Sequence, residues 1–160
     1  MAKGLAIYPE KCTGCQRCVL ACSYNHTGRF SVSRSRIKVV KPSNVSNVPI
    51  VCIQCGLCIP SCPFGALARD PKTQAVLVDE EKCVGCGFCV NSCPYGTIYL
   101  DPISSKAIKC DLCGGDPACV KACPFEAILY EDVNSVAKRK RRVLAMAVNP
   151  EIPGSIRRWK

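Results

Sequence analysis

Histidine, tryptophan and long apolar runs are what this 160-residue chain has least of. His26 is its one histidine and Trp159 its one tryptophan, and aromatic residues make up 6%. Zinc sites that draw on histidine pairs are therefore excluded. No apolar run approaches the length of a membrane span, and no Gly-rich dinucleotide fingerprint precedes a helical segment. Any nicotinamide or flavin chemistry must belong to another chain. Met1 to Glu10 holds no apolar stretch of signal-peptide length, and no twin-arginine pair precedes Cys12. The expected location is the reducing cytoplasm, with no membrane span.

Acidic residues are also few: 12 against 22 basic ones, for a formal net charge of +10. Such an excess suggests an anionic partner. It is a count made with every cysteine neutral, and cysteine is the one residue type this chain has in excess: 16 of 160. Without them, only about 38% of the chain is apolar, too little for an ordinary core. In a reducing compartment a cysteine density of this kind points to metal or redox chemistry rather than disulfides.

The cysteines fall into four groups of four. They are Cys12, Cys15, Cys18 and Cys22; Cys52, Cys55, Cys58 and Cys62; Cys83, Cys86, Cys89 and Cys93; and Cys110, Cys113, Cys119 and Cys123. The first three groups read C-x2-C-x2-C-x3-C. Pro63 and Pro94 complete the bacterial ferredoxin run in groups two and three. Group four carries Gly114 to Ala118 between its second and third cysteines and ends Cys123-Pro124. Group one ends Cys22-Ser23. Structural zinc favours two C-x2-C pairs far apart, which this is not.

Three thiolates two residues apart let one loop wrap a cubane, with backbone N–H groups turned to the sulfurs. The fourth cysteine lies about 6 Å further along a helical turn. That carries it to a neighbouring cluster, so clusters come in exchanging pairs. All 16 cysteines are the expected ligands of four [4Fe–4S] clusters, and none is a nucleophile. An oxidised cubane with four thiolates carries about −2, so four of them bring the holo-protein to about +2. A nucleic-acid role is thereby disfavoured. Spacing alone permits pairing of group one with two and three with four, or a nested pairing of one with four and two with three.

Smaller features complete the reading. His26 is expected as a surface or capping residue. Tyr24, Phe64, Tyr95 and Phe125 follow the last cysteine of each group and are expected to shield clusters, fill core, or both. Residues 66–69 with 75–78, and 97–100 with 106–109, predict hairpins around Asp-Pro turns, and 127–130 predicts a further strand. The repeating unit is a cluster loop, a short helix and a short strand. Residues 31–41 predict a strand with Arg34, Arg36 and Lys38 on one face, either solvated or meeting an acidic partner. Residues 42–49 predict a loop. Residues 134–148 predict a helix that contains Lys138 to Arg142 and stops before Pro150. The C-terminal arm, residues 134–160, is expected to dock on a partner with Trp159 as an anchor, the alternative being a solvated helix and frayed tail.

CTGCQRCVLAC without a following proline, together with CDLCGGDPACVKACP, resembles the four-cluster iron–sulfur subunits of molybdenum and tungsten oxidoreductases. It is most similar to the small subunits serving tungsten-dependent aldehyde oxidoreductases. The resemblance covers about residues 5–130 and implies an α+β, double ferredoxin-like fold of two dicluster lobes. It implies the nested pairing: Cys12, Cys15, Cys18 with Cys123; Cys110, Cys113, Cys119 with Cys22; Cys52, Cys55, Cys58 with Cys93; Cys83, Cys86, Cys89 with Cys62. The lobes would be residues 1–48 with 104–133, and 49–103 inserted between them, followed by 134–160. The implied function is single-electron relay without substrate chemistry. The implied partners are a catalytic oxidoreductase subunit and a further flavin or ferredoxin-type protein, and stacking of copies would lengthen the wire. A free polyferredoxin shuttle is the rival, and the basic tail argues against it.

Overall fold

The computed structural model describes residues 3–44 and 46–148. Its strands form four two-stranded antiparallel ribbons. β1 (Lys3–Ile7) pairs with β8 (Ile128–Asp132), so that Ile7 faces Ile128 although they lie 121 positions apart in the chain. β2 (Lys38–Ser43) pairs with β3 (Ser46–Ile50), β4 (Leu67–Arg69) with β5 (Val76–Val78), and β6 (Ile98–Leu100) with β7 (Ala107–Lys109). The helices are α1 (Arg17–Thr27), α2 (Phe88–Asn91), α3 (Ala118–Lys121) and α4 (Val133–Val148).

The hairpins at β4–β5 and β6–β7 sit where the apolar runs place them. An aspartate closes each turn. Asp70 Oδ2 accepts from the N–H of Thr73 at 2.8 Å, and Asp101 Oδ2 from the hydroxyl of Ser104 at 2.9 Å. Pro71 and Pro102 follow them and preset the next φ.

Proline decides helix length after each cysteine loop. Pro94 and Pro124 stop α2 and α3 within a turn. Ser23 stands in that place in group one, and α1 runs on until Gly28 ends it in the left-handed region at φ 65°. Group two lacks the expected short helix. Residues 57–61 form only a turn, because Pro60 has no N–H to give and restricts Ile59.

Two expectations are corrected by hydrogen bonding. Residues 31–41 are not one strand with a free basic face, since strand begins only at Lys38. Arg34 donates from Nε and Nη2 to buried Asp101, both at 2.8 Å, and Arg36 donates to Asp111 at 2.6 Å. Lys38 Nζ donates to the carbonyls of Val32 and Ser33. Residues 42–49 are not all loop but contain most of β3. Pro49 is tolerated there because β3 has a neighbour on one side only.

α4 spans the expected helix. Asp132 Oδ1 caps it, accepting from the N–H groups of Asn134 and Ser135. Arg139 ties it back to Glu131 and lies over the ring of Tyr8. The tail with Trp159 lies outside the described residues.

Two small clusters of buried side chains form the interior. Ala66, Leu67, Val76, Ile98 and Ala107 surround Cys58, Cys83 and Cys89. Val19, Ile37, Val51 and Ile128 surround Cys18, Cys22 and Cys119. The expected boundaries cut across this packing. Residue 103/104 falls inside the β6–β7 hairpin, and Ala107 packs with segment 49–103 while Val51 packs with the other cluster.

Candidate metal centres

Each cysteine loop repeats one backbone device. The residue before the second cysteine has positive φ in all four groups: Gly14 (75°), Gln54 (58°), Gly85 (75°) and Leu112 (58°). So does the residue after it: Gln16 (59°), Gly56 (87°), Gly87 (82°) and Gly114 (66°). Left-handed residues set among ordinary ones turn successive N–H groups to one side, forming a concavity for an anion. A cubane with thiolate ligands is such an anion. Three of these eight positions are not glycine, so local strain is held by the surrounding fold.

The cysteines gather across groups. One cavity is lined by Cys12, Cys15, Cys18 and Cys123. A second is lined by Cys52, Cys55, Cys58 and Cys93, and a third by Cys83, Cys86, Cys89 and Cys62. Cys119 is pushed up by burial and then by the nearby Cys110, Cys22, Cys113 and Cys18. The third cavity is otherwise apolar, walled by Phe64, Leu67, Val78, Val84, Phe88 and Leu100. Ser61 and Ser92, one residue before the exchanged Cys62 and Cys93, bridge hydroxyl to hydroxyl at 2.9 Å.

The donor chemistry fits [4Fe–4S] clusters. Burial pushes Cys18 up to about 11 and Cys110 to about 12, so these thiols ionise only beside a strong positive charge, which iron provides. Sulfurs also accept from the chain: Gln54 N–H to Cys52, Ala66 N–H to Cys62 and Ala107 N–H to Cys83, each at 3.4 Å. Such bonds favour the charged form and tune potential.

His26 corrects the expectation of a surface residue. Its side chain is only 10% exposed and bridges α1 to the group-four loop. Nδ1 donates to the carbonyl of Cys22 at 2.7 Å and Nε2 donates to Asp111 at 3.1 Å. Both partners only accept, so the ring is doubly protonated. Burial opposes that charge, but hydrogen bonds to Asp111, Cys113 and Cys22 outweigh it and hold the ring up to about 12. The clue available in the sequence was its place four residues after Cys22, on the same helix face.

Asp111 also accepts from Arg36 and caps the N–H of Cys113 at 2.9 Å. Burial raises its acid, yet His26 and Arg36 hold it well below the usual carboxylate range. A depressed acid stabilises above its ordinary pKa and loses that share as pH falls through the folded value. Asp111→Asn is therefore expected to lower the urea midpoint at pH 7 and to flatten the fall in midpoint below about pH 5. Parallel pH curves of variant and parent would contradict this.

Phe64, Tyr95 and Phe125 each line a cavity while remaining about half exposed, so they shield rather than fill core. Tyr24 stacks on Phe30 instead, with ring centroids 5.0 Å apart.

Gly85 gives a sharp test of the loop geometry. A Cβ there would lie 2.3 Å from the carbonyl oxygen of Ser105, at φ +75°. Gly85→Ala is expected to cost about 1–3 kcal/mol in strain alone and to speed iron loss to a chelator. At Gly65 φ is +61° but nothing lies within 4 Å, so Gly65→Ala should lose iron more slowly than Gly85→Ala. Equal rates would contradict the clash.

Residues 51–102 match the 4Fe-4S dicluster domain, and residues 5–25 and 110–127 each match a 4Fe-4S binding domain. The chain is 43% identical over 115 residues to the polyferredoxin-like subunit of aliphatic sulfonate oxidoreductase from Pyrococcus furiosus. That match covers 71% of this chain and 66% of the relative. It is 38% identical over 118 residues to the beta subunit of NADH-dependent phenylglyoxylate dehydrogenase from Aromatoleum evansii, covering 71% of this chain and 26% of that one. Among solved structures, the active-site complex BamBC of benzoyl coenzyme A reductase contains a chain 26% identical to this one. The match covers 89% of both at a TM-score of 0.48, too low to equate the two arrangements. The chain carries multiple 4Fe–4S ferredoxin-type domains and is an iron–sulfur protein.

Proposed function

We propose that this chain is the electron-relay subunit of an oxidoreductase complex, with four [4Fe–4S] clusters held by its 16 cysteines in the nested pairing. The observation that carries this reading is the exchange of fourth cysteines, which puts three donors from one loop and one from another around each cavity. Bound clusters supply one-electron exchange. The chain's own residues hold them in closely spaced pairs, exclude water with apolar walls, and orient N–H groups at the sulfurs.

The sites follow an order. Groups two and three share cysteines, as do groups one and four, and the Cys52 loop abuts the Cys110 loop through Gln54, whose Nε2 donates to the Cys110 carbonyl at 2.9 Å. The inner sites are those of Cys52 and Cys110, and the outer ones those of Cys12 and Cys83. Cys15 and Cys86 are exposed in the outer loops, as is Cys55 in the inner Cys52 loop, so partners can approach the outer loops without being confined to them.

The relatives named above are subunits of oxidoreductases, which supports a catalytic partner for this chain. We assign that partner to the tungsten or molybdenum pterin aldehyde oxidoreductases, on the group-four sequence, with a flavin or ferredoxin-type protein at the other end. Exposed outer sites would also let copies stack.

The chain should therefore be tagged and purified without oxygen from its native cells. It is expected to bring down a catalytic oxidoreductase subunit, and an aldehyde should bleach the visible cluster absorption of the complex. A chain that elutes alone with clusters no substrate reduces would instead support a free polyferredoxin.

A further inference from the structure

Lys109 is only 3% exposed, a rare state for lysine unless its charge is fully engaged. Its Nζ donates to the carbonyl of Val76 at 2.6 Å, the carbonyl of Cys110 at 2.6 Å and Oε1 of Gln54 at 3.0 Å. Three acceptors meet the three protons of an ammonium. The group is held as a cation by geometry.

Its position is as specific as its bonding. Lys109 forms part of the wall of the Cys52, Cys55, Cys58 and Cys93 cavity. It also precedes Cys110, the first donor of group four. Gln54 completes the node: it sits between Cys52 and Cys55 in the left-handed region at φ 58°, where glycine is the easier choice. Its side chain accepts from the Val76 N–H at 2.9 Å and donates to Cys110 O. Glycine could make neither bond. Among the four cysteine loops, this is the junction between the two exchanging pairs.

We propose that Lys109, positioned by Gln54, is a fixed buried cation that raises the reduction potentials of the two inner clusters relative to the outer two. The inference rests on the four-cluster relay reading. Reduction adds a negative charge to a cluster, and a nearby fixed cation in a poorly screened interior favours that form. Lys109 lines the Cys52 cavity and neither of the cavities at the Cys12 and Cys83 loops, so its influence falls mainly on the inner pair. It makes the middle of the relay the place where an electron rests, and it couples the two pairs through one charged contact. Lys109 and Gln54 are positioning residues; neither exchanges electrons.

The test is an anaerobic redox titration followed by electron paramagnetic resonance on full-length holo-protein, for the parent, Lys109→Met, Lys109→Arg and Gln54→Glu. Parent protein with about sixteen iron and sixteen sulfide secures the relay reading separately, and a lower content would sink that reading first. In Lys109→Met, two of the four midpoints should fall. The reduced-to-oxidised ratio of those clusters at fixed potential should drop about tenfold or more, equivalent to about 59 mV for one electron. The other two should stay in place. Gln54→Glu keeps the lysine but neutralises it with an adjacent carboxylate, and should lower the same two midpoints. Lys109→Arg keeps the charge and should restore most of the shift. If Lys109→Met assembles fewer than four clusters, Gln54→Glu decides by the same criterion. Unmoved midpoints, or an equal shift of all four, in variants with full iron would overturn the proposal.

Discussion

Combining Cys93→Ala with Cys52→Ala is expected to remove one cluster, about four irons of sixteen, whereas combining Cys93→Ala with Cys83→Ala removes two. Cys93 follows Cys83, Cys86 and Cys89 in sequence but shares a cavity with Cys52, Cys55 and Cys58. The short helix α2 carries it out of its own loop, and Cys62 takes its place in the third cavity. Two lesions at one site cost one cluster; two lesions at two sites cost two. The same contrast applies at the other end, with Cys123 grouped with Cys12 rather than Cys110. Iron analysis of the purified double variants checks it, and equal deficits in the two would contradict the exchange.

Removal of iron has the larger consequence for the fold. The described strands form only two-stranded ribbons, two of them with three residues on each strand, and such ribbons are marginal alone in water. The two buried clusters contain cysteines as core members, so taking away the metal leaves voids lined by thiols. The non-glycine residues at positive φ beside the second cysteines add strain that a bound anion helps the surrounding fold to hold. Cluster binding free energy is therefore mostly folding free energy. Protein stripped of iron under reducing conditions should lose most of its far-ultraviolet circular dichroism and its cooperative thermal transition. A native-like spectrum with a cooperative transition after stripping would show that side-chain packing suffices.

The metal frame was legible because it is written in one residue type at fixed spacing. The Asp-Pro hairpins were legible for a similar reason, since turn chemistry is local. What the sequence hid was mostly polar and non-local. The basic run at 34–38 looks like a free face, yet Arg34 reaches Asp101 across 67 positions and Arg36 reaches Asp111 across 75. His26 reads as a loop residue until α1, freed from the usual proline, carries it beneath Asp111. Lys109 lies in the hairpin run 106–109 with no sequence sign of burial, yet β7 is buried at all three positions and Lys109 bonds to Gln54. Strand β3 was masked by the composition of 42–49, where serine, asparagine and proline outweigh two valines. The pairing of loops was not a property of spacing at all, because the exchange depends on where each helical turn delivers its last cysteine.

The central claim is that 16 cysteines hold four cubanes. The most direct measurement is iron and acid-labile sulfide on anaerobically purified protein, with an electron paramagnetic resonance spectrum after reduction. About sixteen of each per chain, with signals broadened by interaction between neighbouring cubanes, is the result this account predicts. Zinc in place of iron, or iron for fewer than four clusters after full reconstitution, would contradict it.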